Sequence, residues 1–346
     1  MNATVKTYGK REIVVIAVLG VLLVALVLVS LTVGTYNLSV GDIVAVIGSK
    51  LSGSSLPEGS QDDIVLLIIR LPRILLAAIA GAALAVSGAA YQGMFKNPMV
   101  SPDILGVSSG AGTGAAFALL LGLPSVAVHG ISFLFGVAAV FVVTAVARAF
   151  GKSGNTLVVM ILAGTVISSV FTALTSLVKY VADPDDALPQ ITYWLMGSFA
   201  RSGNDSNVLA MAVVLLVGGG VLMLLRWKLN VMAFGDDEAK AMGVDVKKTR
   251  FIVILAATLL TSVTVCMCGT IGWVGLIIPH IVRLVTGPNY KSLVPISMLG
   301  GACFMLLVDD IARVIVPGEL PISILTALIG APLFLSMLMK GRREWL

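Results

Sequence analysis

Charge is scarce in this chain. Its 23 Lys and Arg and 18 Asp and Glu make only 12% of 346 residues, where a soluble domain typically carries about 25%. Histidine and cysteine are scarcer, with two and three. Cys266, Cys268 and Cys303 lie in apolar stretches, so they read as small buried hydrophobes and not as a disulfide framework. His280 follows Pro279 inside an apolar run and reads as packing, not as a metal or haem ligand. Clustered basic faces of the kind that bind nucleic acid are missing too, because the basic residues are scattered between hydrophobic runs.

Apolar residues are what the chain has. They make up 58% of it, and mean hydropathy is +1.03. Most of its surface must therefore face lipid. A span needs about 20 apolar residues, and ten candidates follow: 13–33, 73–93, 103–122, 127–149, 157–180, 207–226, 251–269, 271–286, 293–312 and 321–339. The third and eighth are interrupted by glycine or polar residues. The first follows Lys6, Lys10 and Arg11 but is too long for a signal-peptide core, and no A-x-A site follows, so it reads as a retained span. With both termini in the cytoplasm, most Lys and Arg fall on the inner side.

Between Arg70 and Gly114, turn-forming and polar residues sit inside hydrophobicity of membrane grade. Irregular backbone at that depth is tolerated only inside protein or along a watery cavity. The segment therefore points to a pathway and not to an anchor. Small residues recur every four positions at Ala77, Gly81, Ala85, Ala89 and Gly93, and again at Gly106, Gly110 and Gly114. That spacing lets helix backbones approach closely.

Two enzyme-like patterns fail on context. Gly106 to Gly110 matches G-x-S-x-G around Ser108, yet it lies in a membrane helix and not on a strand-to-helix elbow. A hydrolase using Ser108 with His280 is the remaining enzyme reading. Gly151-Lys152-Ser153 resembles the end of a P-loop, but Val146 stands where the first glycine belongs. The chain itself then carries no ATPase site.

The stretch 227–250 is too polar to span. Asp236, Asp237 and Glu238 suit a helix N-terminus after Gly235, and Gly243 ends a helix of about two turns. So short a helix is marginal alone and needs a surface to pack on. At the other end Arg70, Arg73 and Arg313 go against the charge bias. Exposed there, they suit a carboxylate-bearing partner; interfacial anchoring, or pairing with Asp309 and Asp310, is the alternative. A secondary transporter would need an ion-coupling carboxylate within the bilayer, and Asp309 and Asp310 are the only candidates seen.

Ten blocks stand in order along the chain: RLPR at 70–73, GAALAVSGAAYQ at 81–92, NPMVSPDILGVSSGAG at 97–112, LAG at 162–164, YWLMGS at 193–198, LNVMAFGDDEAKAMGV at 229–244, GWVGLIIPHIVRL at 272–284, DDIAR at 309–313, PGELP at 317–321 and LTALIGAPLF at 325–334. In these blocks the chain resembles the permease subunit of type II ABC importers, the FecCD-like class for iron-siderophore, haem and cobalamin uptake. The resemblance implies an all-α polytopic fold of about ten transmembrane helices, in one permease domain over 1–346. It implies a homodimer with the path at its interface, in a prokaryotic inner membrane. Two ATP-binding cassette subunits that hold ATP and Mg, and a periplasmic or lipid-anchored binding protein, complete the implied assembly. This chain would bind no cofactor or metal. Residues 229–247, with Gly235, Asp236, Ala239 and Gly243, would be its coupling helices. Arg70, Arg73 and Arg313 would meet the binding protein. Asn97, Pro98 and Met99 would narrow the path on the cytoplasmic side, with Gln92 above them and a second gate segment at 155–158. Ferric siderophore is the first substrate reading; haem, cobalamin and molybdate stay open.

Overall fold

Among the described residues ten apolar helices build the bundle, but two of them are too short to cross a bilayer. The structure, a computed structural model, describes residues 9–52, 61–151, 156–201, 203–316 and 318–341. Seven helical segments among the described residues are long and apolar enough to span: Lys10–Thr32 (α1), Ile64–Met94, Ser125–Phe150 (α5), Thr156–Val181 (α6), Asp205–Leu224 (α8), Val246–Cys268 (α11) and Tyr290–Val314 (α13). Val107–Leu120 (α4), Val274–Thr286 (α12) and Ile322–Gly341 (α14) are the other apolar ones. At about 1.5 Å per residue, α4 and α12 reach only about 20 Å of the roughly 30 Å core.

Both half-length helices start inside the bundle. The third expected span, 103–122, begins as a 3-10 turn at Pro102–Leu105 and turns through Gly106 (φ 79°) before α4 starts. The eighth, 271–286, is irregular as far as Trp273 (φ 72°) and helical only from Val274. Their breaks pack on neighbouring helices on one side and border cavities on the other. Gly88, midway along the second span, has no room for a Cβ beside the carbonyl of Gly275, Gly275 has none beside Pro102 and the carbonyl of Leu84, and Gly164 has none beside the carbonyl of Ile104. Burial in protein, or a place along a watery cavity, is the condition under which a membrane tolerates broken backbone.

The second span differs from expectation at its start. A π-helical turn, Ile64–Arg70, runs straight into Leu71–Met94 (α3), so Arg70 and Arg73 lie within one helical run and not in a loop. α3 is the centre of the molecule, packed by α8, α11, α12 and α13. α4, α5 and α6 form a second group joined to it through α11. α1 lies outside, with 11% of its apolar window buried against 72% for α11. The close approach of α3 and α13 runs through Gly81 and Gly301, each against the other's carbonyl.

Four further helices lie outside the apolar set: Val40–Ser52 (α2), Ala187–Leu195 (α7), Arg226–Phe234 (α9) and Asp236–Ala241 (α10). No strand occurs among the described residues.

Candidate functional site: an ion-pair cluster, a hydroxyl-lined trough and a polar hairpin

The three arginines expected to be exposed are buried. Arg70, Arg73 and Arg313 retain 4%, 5% and 6% exposure. Arg73 forks onto Asp309, with Nη2 at 2.8 Å and Nε at 3.0 Å from Oδ1, and Nη1 lies 2.5 Å from Glu319. Arg313 faces Asp309 at 3.2 Å, contacts Asp310, and donates to the carbonyls of Ser30 and Val33. Arg70 donates to the carbonyls of Leu31 and Tyr36. Ser30 donates to Asp310 at 2.8 Å. The pairing alternative describes their surroundings, for a physical reason. The end of α1 presents orphan carbonyls that cations satisfy, and a guanidinium without an acid would be costly at this depth. Glu319 (φ 66°) is the most exposed member, at 37% of its side chain.

Gln92 does not line an opening either. It is fully buried, donating to the carbonyl of Leu276 at 3.0 Å and accepting from Arg283 at 3.5 Å, so it ties α3 to α12. Asn97, Pro98 and Met99 do project at the end of α3, where Asn97 accepts from the backbone of Met99 at 2.9 Å. Of the 155–158 segment, residue 155 lies outside the described residues, as do positions 152 and 153 of the P-loop-like stretch; 156–158 open α6.

The sequence reading missed one feature. Thr165, Ser169, Thr172 and Ser176 form an exposed polar stripe along α6. It walls an open trough of about 580 Å³, bordered opposite by Ser101 and by Asp103 of the 3-10 turn. A second cavity of about 330 Å³ continues it past Ser108, Thr270 and Lys179. The signal was in the chain as hydroxyls at i, i+4, i+7 and i+11 inside an apolar span. Each hydroxyl donates to its own helix, as Ser169 does to Thr165 O at 2.9 Å and Thr172 to Ser168 O at 2.8 Å. Their oxygen lone pairs are left for the cavity. The stripe itself is neutral and hydrogen-bonding, with Asp103 and Lys179 the ionisable residues along the trough. Asp103 is also an intramembrane acid that the reading had not counted. It accepts from Ser108, so Ser108 pairs with a carboxylate and not with a histidine base.

At the opposite end from the arginines, α9 and α10 form a hairpin with its own core of Val231, Met232, Ala239, Val244 and Val246. Gly235 (φ 155°) makes the corner and Gly243 (φ 81°) ends α10. Asn230 clasps the α12–α13 corner, donating to Asn289 at 3.0 Å and accepting from the Tyr290 amide at 2.8 Å. Asp236 binds Arg250 at 2.9 Å and Lys96 at 3.7 Å. Lys240, 2.8 Å from Asp237, holds that carboxyl below its usual range. Among the described residues no group of three or more His, Cys, Asp or Glu could hold a metal.

Comparison with known proteins fits this geometry. The model of the FecCD transport family matches residues 22–340. The molybdate import system permease protein MolB of Haemophilus influenzae is 42% identical over 94% of this chain and 95% of its own. The cobalamin import system permease protein BtuC of Halobacterium salinarum is 41% identical over 82% of this chain and 74% of its own. A solved ABC transporter assigned to the metal-chelate type, in an inward-facing conformation, superposes with a TM-score of 0.82 and 40% identity over 95% of this chain and 99% of that one.

Proposed function

The chain belongs to the FecCD transport family, and from that premise we propose that it passes a metal chelate, ferric siderophore first, along the α6 trough where two copies meet. It is an ABC importer permease and a multi-pass protein of the inner membrane. It is a transport subunit and not an enzyme in its own right.

The observation that carries the pathway reading is the hydroxyl stripe. Polar side chains on the outside of a membrane bundle face water or protein. A second copy set against α6 would enclose the trough and double its hydroxyl lining. The 229–247 hairpin, with Gly235, Asp236, Ala239 and Gly243, suits docking of ATP-binding subunits, which would hold ATP and Mg; this chain would bind no cofactor. The turn at Asn97, Pro98 and Met99 suits a cytoplasmic constriction, and Gln92 supports it from behind. In this reading both termini would lie in the cytoplasm. An external binding protein would reach the Arg70, Arg73 and Arg313 cluster by competing with Glu319, its most accessible acid.

Reconstitution with the binding protein and ATPase subunits tests this reading. ATP-dependent uptake of iron supplied as a ferric siderophore is the expected result. Uptake of molybdate instead would establish the second reading, which the 42% identical molybdate permease favours. Uptake driven by an ion gradient without ATP would overturn the ATP-driven mechanism.

A further inference from the structure

A second cavity system lies on the hairpin side of the bundle, away from the trough. Arg148 near the end of α5, and Lys247 and Arg250 at the start of α11, line a cavity of about 480 Å³. It shares Thr144, Arg148, Phe251 and Ile254 with an apolar pocket of about 230 Å³ walled by Phe141 and Leu255. The two form one groove, basic at its mouth and apolar along its length. No acidic residue lines either part among the described residues. Arg250 is neutralised by Asp236, while Arg148 and Lys247 form no ion pair among the described residues. Arg148 sits over the ring of Phe251, 5.5 Å from its centroid, which fixes the guanidinium at the junction of the two parts.

The groove's length is informative. From Arg148 it follows α5 back to Val137, and from Lys247 it follows α11 to Thr258. Eleven residues of helix cover about 16 Å, close to half of a roughly 30 Å hydrocarbon core. The cations then lie at headgroup level and the apolar end near the bilayer midplane. A free phosphate would use only the mouth. A phosphodiester lipid would fill both parts.

We propose that this groove holds one anionic phospholipid of the leaflet on the α9–α10 side, its phosphate between Arg148 and Lys247 and an acyl chain along Phe141 and Leu255. The site adjoins Arg250 and so borders the Asp236 contact of the hairpin, but the proposal does not depend on the transport reading.

Native mass spectrometry of the full-length chain tests it, titrating phosphatidylglycerol, phosphatidylcholine of equal chain length, and glycerol phosphate. One phosphatidylglycerol per chain, held more tightly than phosphatidylcholine, is expected. Removing each cation should weaken it roughly fivefold, so R148Q with K247Q gives roughly 25-fold. Leu255→Trp should obstruct the acyl trough with the charges intact. Equal binding of the zwitterionic lipid overturns the proposal, as does glycerol phosphate binding as tightly as the lipid. Unchanged phosphatidylglycerol binding in both the folded double variant and Leu255→Trp does the same. If the double variant does not fold, the exposed Lys247→Gln alone must show the fivefold loss.

Discussion

Lys96, in the turn after α3, reaches Asp236 on α10 with Nζ 3.7 Å from Oδ1. Lys96 holds φ at 53°, a conformation usually left to glycine or asparagine. Asp236 also binds Arg250 of α11 at 2.9 Å. The proposed constriction and the proposed docking hairpin are therefore tied directly, without passing through the bundle core.

Both partners of this contact are about a third exposed, so it contributes only about 0.2–1 kcal/mol to stability. Its expected role is mechanical. Lys96→Asp should lower transport per ATP hydrolysed several-fold with little change in melting temperature, while Asp236→Lys should lower it too and also lower the melting temperature, because it removes the partner of Arg250. The double exchange should restore part of the ratio. Equal ratios in all four proteins would remove the tie from the mechanism.

The arginine cluster predicts the reverse pattern. Asp309 is fully buried between Arg73 and Arg313. Asp309→Asn leaves two guanidiniums short of charge and should cost about 3–5 kcal/mol, read as a lower midpoint in detergent unfolding. Glu319→Gln, at the exposed edge, should cost about 1 kcal/mol or less.

Gly88 and Gly275 meet backbone to backbone. Gly88→Ala forces α3 and α12 apart, and overpacking of this kind typically costs about 1–3 kcal/mol. Thermal unfolding checks it against Gly220→Ala, where nothing lies within 4 Å.

Accessibility tests the trough. Cys266, Cys268 and Cys303 are buried, so introduced thiols can be read against a quiet background. Ser169→Cys and Thr172→Cys should react with a water-soluble thiol reagent, while Val170→Cys, on another face of α6, should react much more slowly. Equal rates would mean that the stripe is not wetted.

At Gly243 an added Cβ meets nothing within 4 Å, and φ is 81°. Asparagine tolerates that conformation; a bulky residue pays about 1–2 kcal/mol and projects from the hairpin surface. Gly243→Asn should keep ATPase activity coupled to transport. Gly243→Trp should uncouple it while the permease still folds.

The hairpin was legible because its signals are local: acids after Gly235, then Gly243 within one short stretch. The ten apolar runs were legible for the same reason, although α4 and α12 proved half-length, with Gly164 packed on the turn before α4 and Gly88 on the start of α12, contacts that hydropathy does not record. The arginines were misjudged as exposed because charge bias locates a side chain along the membrane normal and says nothing of its neighbours. The α6 stripe was overlooked because four hydroxyls barely lower the hydropathy of a long span.

The sequence by itself determined a membrane-embedded helical chain, where its apolar helices lie and its family, since apolar runs and ordered motifs are properties of one strand of residues. Only the tertiary structure decided what each polar side chain meets. Arg73 finds its carboxylate 236 positions away, and in a medium that cannot solvate a charge, that partner decides whether an arginine is a free contact or a structural tie.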